Sequence, residues 1–257
     1  EISMSNSDKA ASSQAFEGRM FLYSKPELLT KEDHGDMGLS KPERPFDFAR
    51  DVKGLPVVTT EIQTAQKHYP VIFSDFENPI LLAIVGIVDD INLFVEEDGK
   101  WERDSYIPSY LRCHPFALAT RGEGEYAVII DEDSGQLSKD PEIPFFKDGE
   151  LSEAIQPRLD MCGQFNIEQK RSQEFCNRVK ELGLLNGQRV TQTLSDGTEE
   201  TIANYVSIDP GKLKDLDKDT LQELHVDGSM AAIYGQLFSL ENWNRLIARR
   251  NRRLGIS

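Results

Sequence analysis

Residues able to carry chemistry are few in this chain: three cysteines, four histidines and one stretch of aromatics interleaved with cations. That stretch runs from Asn92 to Phe116 and holds Trp101, Arg103, Tyr106, Tyr110, Arg112, His114 and Phe116. Aromatic rings with a few hydrogen-bonding tips line peptide and small-molecule pockets, so these seven residues form the candidate ligand-binding set. The same residues also suit a core patch whose Tyr and Trp tips are satisfied internally. A third use is catalytic, with Cys113 or His114 acting together with a carboxylate such as Asp104.

Other chemical patterns are incomplete. Asp215, Asp217 and Asp219 have the alternate spacing of a calcium loop, but Thr220 stands where the sharp turn needs Gly and Val226 where a bidentate Glu is needed. Asp131 to Glu142 ends on the required Glu, yet Gly135 comes one place early. Both loops read as solvated caps and turns. For zinc there is no Cys-x-x-Cys or His-x-x-x-His pair, and the adjacent Cys113 and His114 lack companions. Cys162 and Cys176, on one continuous helix, would lie about 21 Å apart, beyond disulfide reach. No nucleophile elbow, Walker loop or dinucleotide fingerprint occurs, and Gly122-Glu-Gly124 precedes a strand and reads as a turn. No metal, cofactor or catalytic residue is therefore assigned.

Composition narrows the partners. Lys and Arg number 29 against 44 Asp and Glu, a formal net charge of -15, which disfavours nucleic acid as a ligand. One basic patch opposes this balance: Arg245, Arg249, Arg250, Arg252 and Arg253 crowd a C-terminal helix. They suit an anionic partner, or else complement the helix dipole and pair with acids of the same chain. An odd cysteine count points to reduced thiols and a cytoplasmic protein. Pro79 to Val88 is about half the length a membrane helix needs and reads as a buried strand. Glu1-Ile2-Ser3 before Met4 resembles an expression scar, and the Ser-rich stretch to Ala15 a loose tail.

The elements that would position these residues change period along the chain. Strands are expected at Met20 to Tyr23, Val71 to Phe73, within the apolar run at 80 to 88, at Ile91 to Val95 and at Glu125 to Asp131. Asp89-Asp90 links the run at 80 to 88 to Ile91–Val95 as a hairpin, and Glu97-Asp98-Gly99 makes the next turn. Thr60 with Gln63 caps a short helix stopped by Pro70, and Pro108 opens another. From Ser152 to Leu182 the apolar period becomes helical, with Ile155, Leu159 and Phe165 on one helix and Ile167, Phe175, Val179 and Leu182 on a second, divided at Pro157 and Gly163. Arg189 to Ile208 is a hairpin turned at Asp196-Gly197. Thr220 with Glu223 caps a helical tail carrying Ile233, Leu237, Leu240, Trp243 and Ile247. The fold class is α+β, with a mixed or antiparallel sheet in a strand-rich N-terminal half and a helix-rich C-terminal half. Residues 16–252 would form one domain with lobes of about 16–148 and 149–252, flanked by tails at 1–15 and 253–257.

The aromatic stretch also carries a resemblance. Asn92-Leu93-Phe94, Asp98-Gly99, Trp101, Tyr106-Ile107-Pro108 and Arg112-Cys113-His114-Pro115-Phe116 are similar to the pattern of the bacterial SapC family, named after a protein linked to surface-layer systems. Tyr69 to Phe73, Gly183-Leu184-Leu185, Ile233-Tyr234 and Ser239-Leu240 extend it, from about Phe21 to Arg249. Cys113-His114 departs from the usual Arg-Tyr. The resemblance implies a cytoplasmic companion of cell-envelope or nutrient-uptake systems and brings no catalytic set. The leading expectation is a non-enzymatic binding or accessory protein holding a peptide, protein segment or small metabolite at the aromatic and Arg face. The alternatives are an enzyme around Cys113 and His114, and a structural subunit of an assembly.

Overall fold

The computed structural model describes residues 20–122, 125–194 and 196–255. The tail at 1–15 and the turn at Gly122-Glu-Gly124 fall wholly or partly outside the described residues. In chain order the strands are β1 (Pro26–Leu28), β2 (Gly38–Leu39), β3 (Gly54–Pro56), β4 (Val71–Phe73), β5 (Leu81–Ile84), β6 (Phe116–Gly122), β7 (Glu125–Asp131), β8 (Leu137–Ser138), β9 (Ile143–Pro144), β10 (Phe146–Lys147), β11 (Glu150–Leu151), β12 (Leu185–Thr193) and β13 (Glu199–Ile208). The helices are α1 (Lys31–His34), α2 (Ile62–Ala65), α3 (Ser109–Cys113), α4 (Gln156–Glu181), α5 (Pro210–Lys214), α6 (Lys218–Val226), α7 (Ser229–Ser239) and α8 (Asn242–Leu254). Strands dominate the first half and helices the second, as an α+β chain should show.

Two compact units form, and neither is continuous in sequence. Among the described residues, one comprises 20–41 with 114–156, the other 42–113 with 157–255. This differs from lobes divided at 148 and 149. The reason is long-range pairing: β4 from the first half pairs with β13 from the second, at Val206 opposite Phe73, and composition carries no trace of that.

In the first unit, β6 and β7 form an antiparallel hairpin flanked by β1, and β2 lies between β8 and β9. Its core gathers Phe116, Ile129, Ile130 and Phe145, all fully buried. In the second unit the antiparallel order is β12-β13-β4-β5-β3. Val71 and Phe73 are fully buried in it, as a central strand requires.

Several local expectations give way to competing physics. Met20 to Tyr23 is a turn with Leu22 at φ 67°, not a strand. Ile91 to Val95 forms no strand: its bridge runs from Val95 to Trp101, and the Leu93 amide donates to the Val85 carbonyl at 2.8 Å, a contact short of a hairpin ladder with the run at 80 to 88. Instead β5 takes β4 and β3 as partners, which keeps both its edges hydrogen-bonded.

Residues 156–181 are one helix rather than two. Pro157 is its second residue, where a missing N–H costs nothing, and Gly163 lies in an otherwise unbroken run. Ile167 is consequently exposed instead of sharing the apolar face. Gly183, at φ 68°, ends the turn that follows.

The caps also shift. The Glu61 carboxylate accepts from the Val58 amide at 3.0 Å, where Thr60 and Gln63 were expected to act. Asp217 accepts from the Asp219 and Thr220 amides and caps α6, in place of Thr220 with Glu223. Of the described residues, no helix is long and apolar enough to cross a membrane.

Candidate functional site

The seven candidate residues do not share one face. Trp101 is core: its indole N–H donates to the Tyr69 hydroxyl at 3.2 Å, and its ring stacks on Phe94 with centroids 5.9 Å apart. Tyr69 in turn donates to the Tyr106 carbonyl, and burial pushes its phenol well above the usual range. These polar tips are satisfied inside the protein, which is the behaviour of a core patch.

Tyr106 and Arg112 belong to a network around one buried carboxylate. Glu61 Oε1 accepts from the Tyr106 hydroxyl and from the Ser109 amide, each at 2.7 Å. Burial and the bond to Glu61 raise the Tyr106 pKa. Arg112 donates to the Tyr106 hydroxyl at 3.2 Å and the Ser109 hydroxyl at 2.6 Å, with its guanidinium 5.7 Å from the Tyr106 ring centre. The network pins the start of α3 and leaves only Arg112 exposed. Tyr110, half-buried, packs its ring 5.7 Å from that of Phe165.

His114 and Phe116 lie across the boundary, in the first unit, and both are buried. His114 Nε2 meets Asp131 Oδ2 at 3.1 Å, and both side chains are 1% exposed. The Gln136 side-chain amide sits 3.4 Å from Nδ1, so an Nε2–H tautomer donates to Asp131 and accepts from Gln136. Asp131 also accepts from the Ser24 and Lys25 amides at 3.1 and 2.8 Å. Burial works to raise the Asp131 pKa, but the bonds from His114 and these amides outweigh it and hold the carboxyl below the ordinary range. This corrects the catalytic alternative: the carboxylate beside His114 is Asp131, whereas Asp104 is 91% exposed and faces Arg103.

All three thiols are buried. The bond from Cys162, and after it the charge of Arg112, lowers the Cys113 pKa against the opposing effect of burial, so Cys113 is the thiol whose thiolate is favoured. Cys162 Sγ lies 3.9 Å from the Cys113 carbonyl, and its bond to Cys113 together with burial pushes its pKa up. Burial raises Cys176 to about 12. The nearness of Cys113 to Cys162, 49 positions apart, has no signal in local spacing.

A further concavity lies elsewhere in the second unit. A groove of about 900 Å³ runs between α4 and α7, with Ile62, Phe175 and Gly235 on its floor. Gly235 is required there: a Cβ would stand 2.6 Å from Ile62 Cγ2. On its lip, Tyr234 and Phe238 are 46% and 64% exposed, and their rings stack with centroids 6.0 Å apart. They sit four positions apart on α7, hence on one face. The rim carries Arg171 held by Glu168 at 2.8 Å and Arg178 held by Glu223 and Asp227 at 2.7 and 3.1 Å. Glu174, also on the rim, has no cationic partner among the described residues.

Sequence patterning missed this groove because Tyr234 and Phe238 lie one position beyond Ile233 and Leu237, outside the single stripe counted as core. The available signal was width. Apolar residues on two adjacent rows make α7 apolar over more of its surface than one contact covers.

A model of the SapC family, described as SapC, matches residues 29–246, most of the chain. No curated protein matches, and neither does any solved structure.

Proposed function

We propose that this chain, which belongs to the SapC family, is a non-catalytic accessory protein that holds an amphipathic helix of a partner protein in the groove between α4 and α7. One observation carries the proposal: two stacked aromatic rings stand exposed on the lip of a groove whose floor is apolar. Leaving such rings in water forgoes burial worth about 1.5–3 kcal/mol for a side chain like Phe, and exposed apolar patches mark partner sites. A groove between helices takes a helix by its apolar stripe. Charge complementarity selects the flanks. The rim arginines are already answered by carboxylates, Glu174 is not, and the chain carries -15 overall, so the partner helix is basic beside its apolar face.

The family resemblance supports a companion role to cell-envelope or nutrient-uptake systems, and the odd cysteine count of three supports a cytoplasmic setting. The catalytic alternative has no support in the sealed His114–Asp131 pair.

Fluorescence titration tests the proposal with two labelled amphipathic peptides, one of Leu and Lys, the other of Leu and Glu. The Leu-Lys peptide should bind saturably and the Leu-Glu peptide should not. Phe238→Ala should weaken binding by about tenfold or more while circular dichroism is unchanged. Equal binding by wild type and variant would overturn the groove as the site. So would concentration-dependent self-association abolished by Phe238→Ala, which would make a second copy of the chain the occupant.

A further inference from the structure

A second concavity, of about 270 Å³, lies beside α8 and differs from the groove in being lined chiefly by ionic groups. Arg245 and Arg249 contribute from α8, Glu102, Arg103 and Asp104 from the loop after Trp101, and His68 from the segment before β4. Three guanidiniums therefore face two carboxylates, in a chain where acids outnumber bases.

Among the described residues, no carboxylate is hydrogen-bonded to Arg245, although the charge of Glu102 acts on it through space. Glu102 is taken by Arg249, with a second bond at 2.8 Å, and the Arg249 guanidinium is fixed 4.2 Å from the Phe94 ring centre. Arg103 meets Asp104 only at 4.0 Å, and their side chains are 94% and 91% exposed, so that pair constrains neither. Arg245 donates to neutral oxygens alone, the Lys67 carbonyl at 2.8 Å and Asn242 Oδ1 at 3.2 Å. Two features make its position unfavourable as it stands. It lies in the first turns of α8, toward the positive end of the helix dipole, and four positions before another arginine. A bound anion would relieve both.

We propose that this cleft binds a phosphate-sized oxyanion carried by a small metabolite, gripped by Arg245 and Arg103, with Arg249 held in place behind them by Glu102. Guanidinium forks match such oxygens in pairs, and the cleft is too small for a polyanionic surface to enter. His68 forms a neutral wall: burial first, then the charges of Arg245 and Lys67, lower its pKa, against a smaller opposing effect of Glu102. An oxyanion in the cleft reverses that field, so His68 reports occupancy. This site is independent of the peptide groove.

The test follows the His68 ring Cε1–H resonance by NMR against pH, assigned with His68→Gln, in the intact chain. Inorganic phosphate and glycerol phosphate are compared with sodium chloride at equal ionic strength, and vesicles rich in phosphatidic acid form a separate arm. Both phosphates should raise the His68 pKa saturably, by about half a unit or more. Arg245→Gln should weaken binding by about tenfold, Arg103→Gln by less, and Arg252→Gln, exposed on the same helix outside the cleft, should leave it unchanged. A shift matched by chloride, or equally reduced by Arg252→Gln, would overturn the site in favour of diffuse screening. Salt-sensitive vesicle binding without any phosphate effect would overturn it in favour of a membrane surface.

Discussion

Two aromatic regions of this chain, the surroundings of Trp101 and the outer face of α7, are built from similar residues and put to opposite uses. Around Trp101 each polar tip finds a partner inside the protein: indole to Tyr69, Tyr69 to Tyr106, Tyr106 to Glu61. Along α7 the rings of Tyr234 and Phe238 stack on each other and remain exposed. Residue type is the same signal in both places. What separates them is whether neighbouring elements close over the rings, and that is decided by long-range packing.

This contrast can be broken by mutation, and the largest effect belongs to the closed region. Trp101→Ala removes a ring stacked on Phe94 and edged by Phe46 at 5.6 Å, and should cost about 3–5 kcal/mol in urea unfolding. A loss below about 1 kcal/mol would place Trp101 outside the core.

Next comes the helix packing beneath the groove. Gly235→Ala forces a methyl against Ile62, a fully buried neighbour, and should cost about 1–3 kcal/mol. A neutral result would mean that α7 can lift away from α2.

A smaller effect sets in with acid. The Asp131 carboxyl titrates lower in the folded protein than its ordinary 3.8. Its stabilisation is therefore fully present above about pH 4 and is lost as pH falls through the folded value. Asp131→Asn should flatten the fall of stability below pH 4. An unchanged acid limb would show that other carboxylates dominate it.

The smallest effect on stability belongs to the open region. Phe238→Ala should move the unfolding free energy by no more than about 0.5 kcal/mol, since its ring is largely in water already. A loss of 2 kcal/mol or more, measured as for Trp101, would erase the distinction between the regions.

How much of this was legible in the sequence follows from the range of each interaction. The β12–β13 hairpin could be read from Asp196-Gly197, and Gly197 does take φ 84°. Val71 to Phe73 and Glu125 to Asp131 were legible as apolar runs between turn residues. Pro157 misled because its cost depends on its place within a helix, which changes by one turn at an uncertain boundary. Among the candidate residues, Arg103 and Arg112 are open and Trp101, His114 and Phe116 are closed. No local rule separates them, because Phe116 turns inward on β6 while Arg112 turns outward on α3 only four positions earlier. The groove escaped notice for the same reason: α4 and α7 are far apart in sequence.

Hydrogen exchange with and without the Leu-Lys peptide tests the central claim most directly, since it follows both regions in one sample. Slowed exchange should appear along Ser229–Ser239 and the facing part of Gln156–Glu181, with residues 101–113 unchanged. Protection confined to 101–113, with α7 unaffected, would contradict the account and return the binding face to the aromatic and arginine stretch.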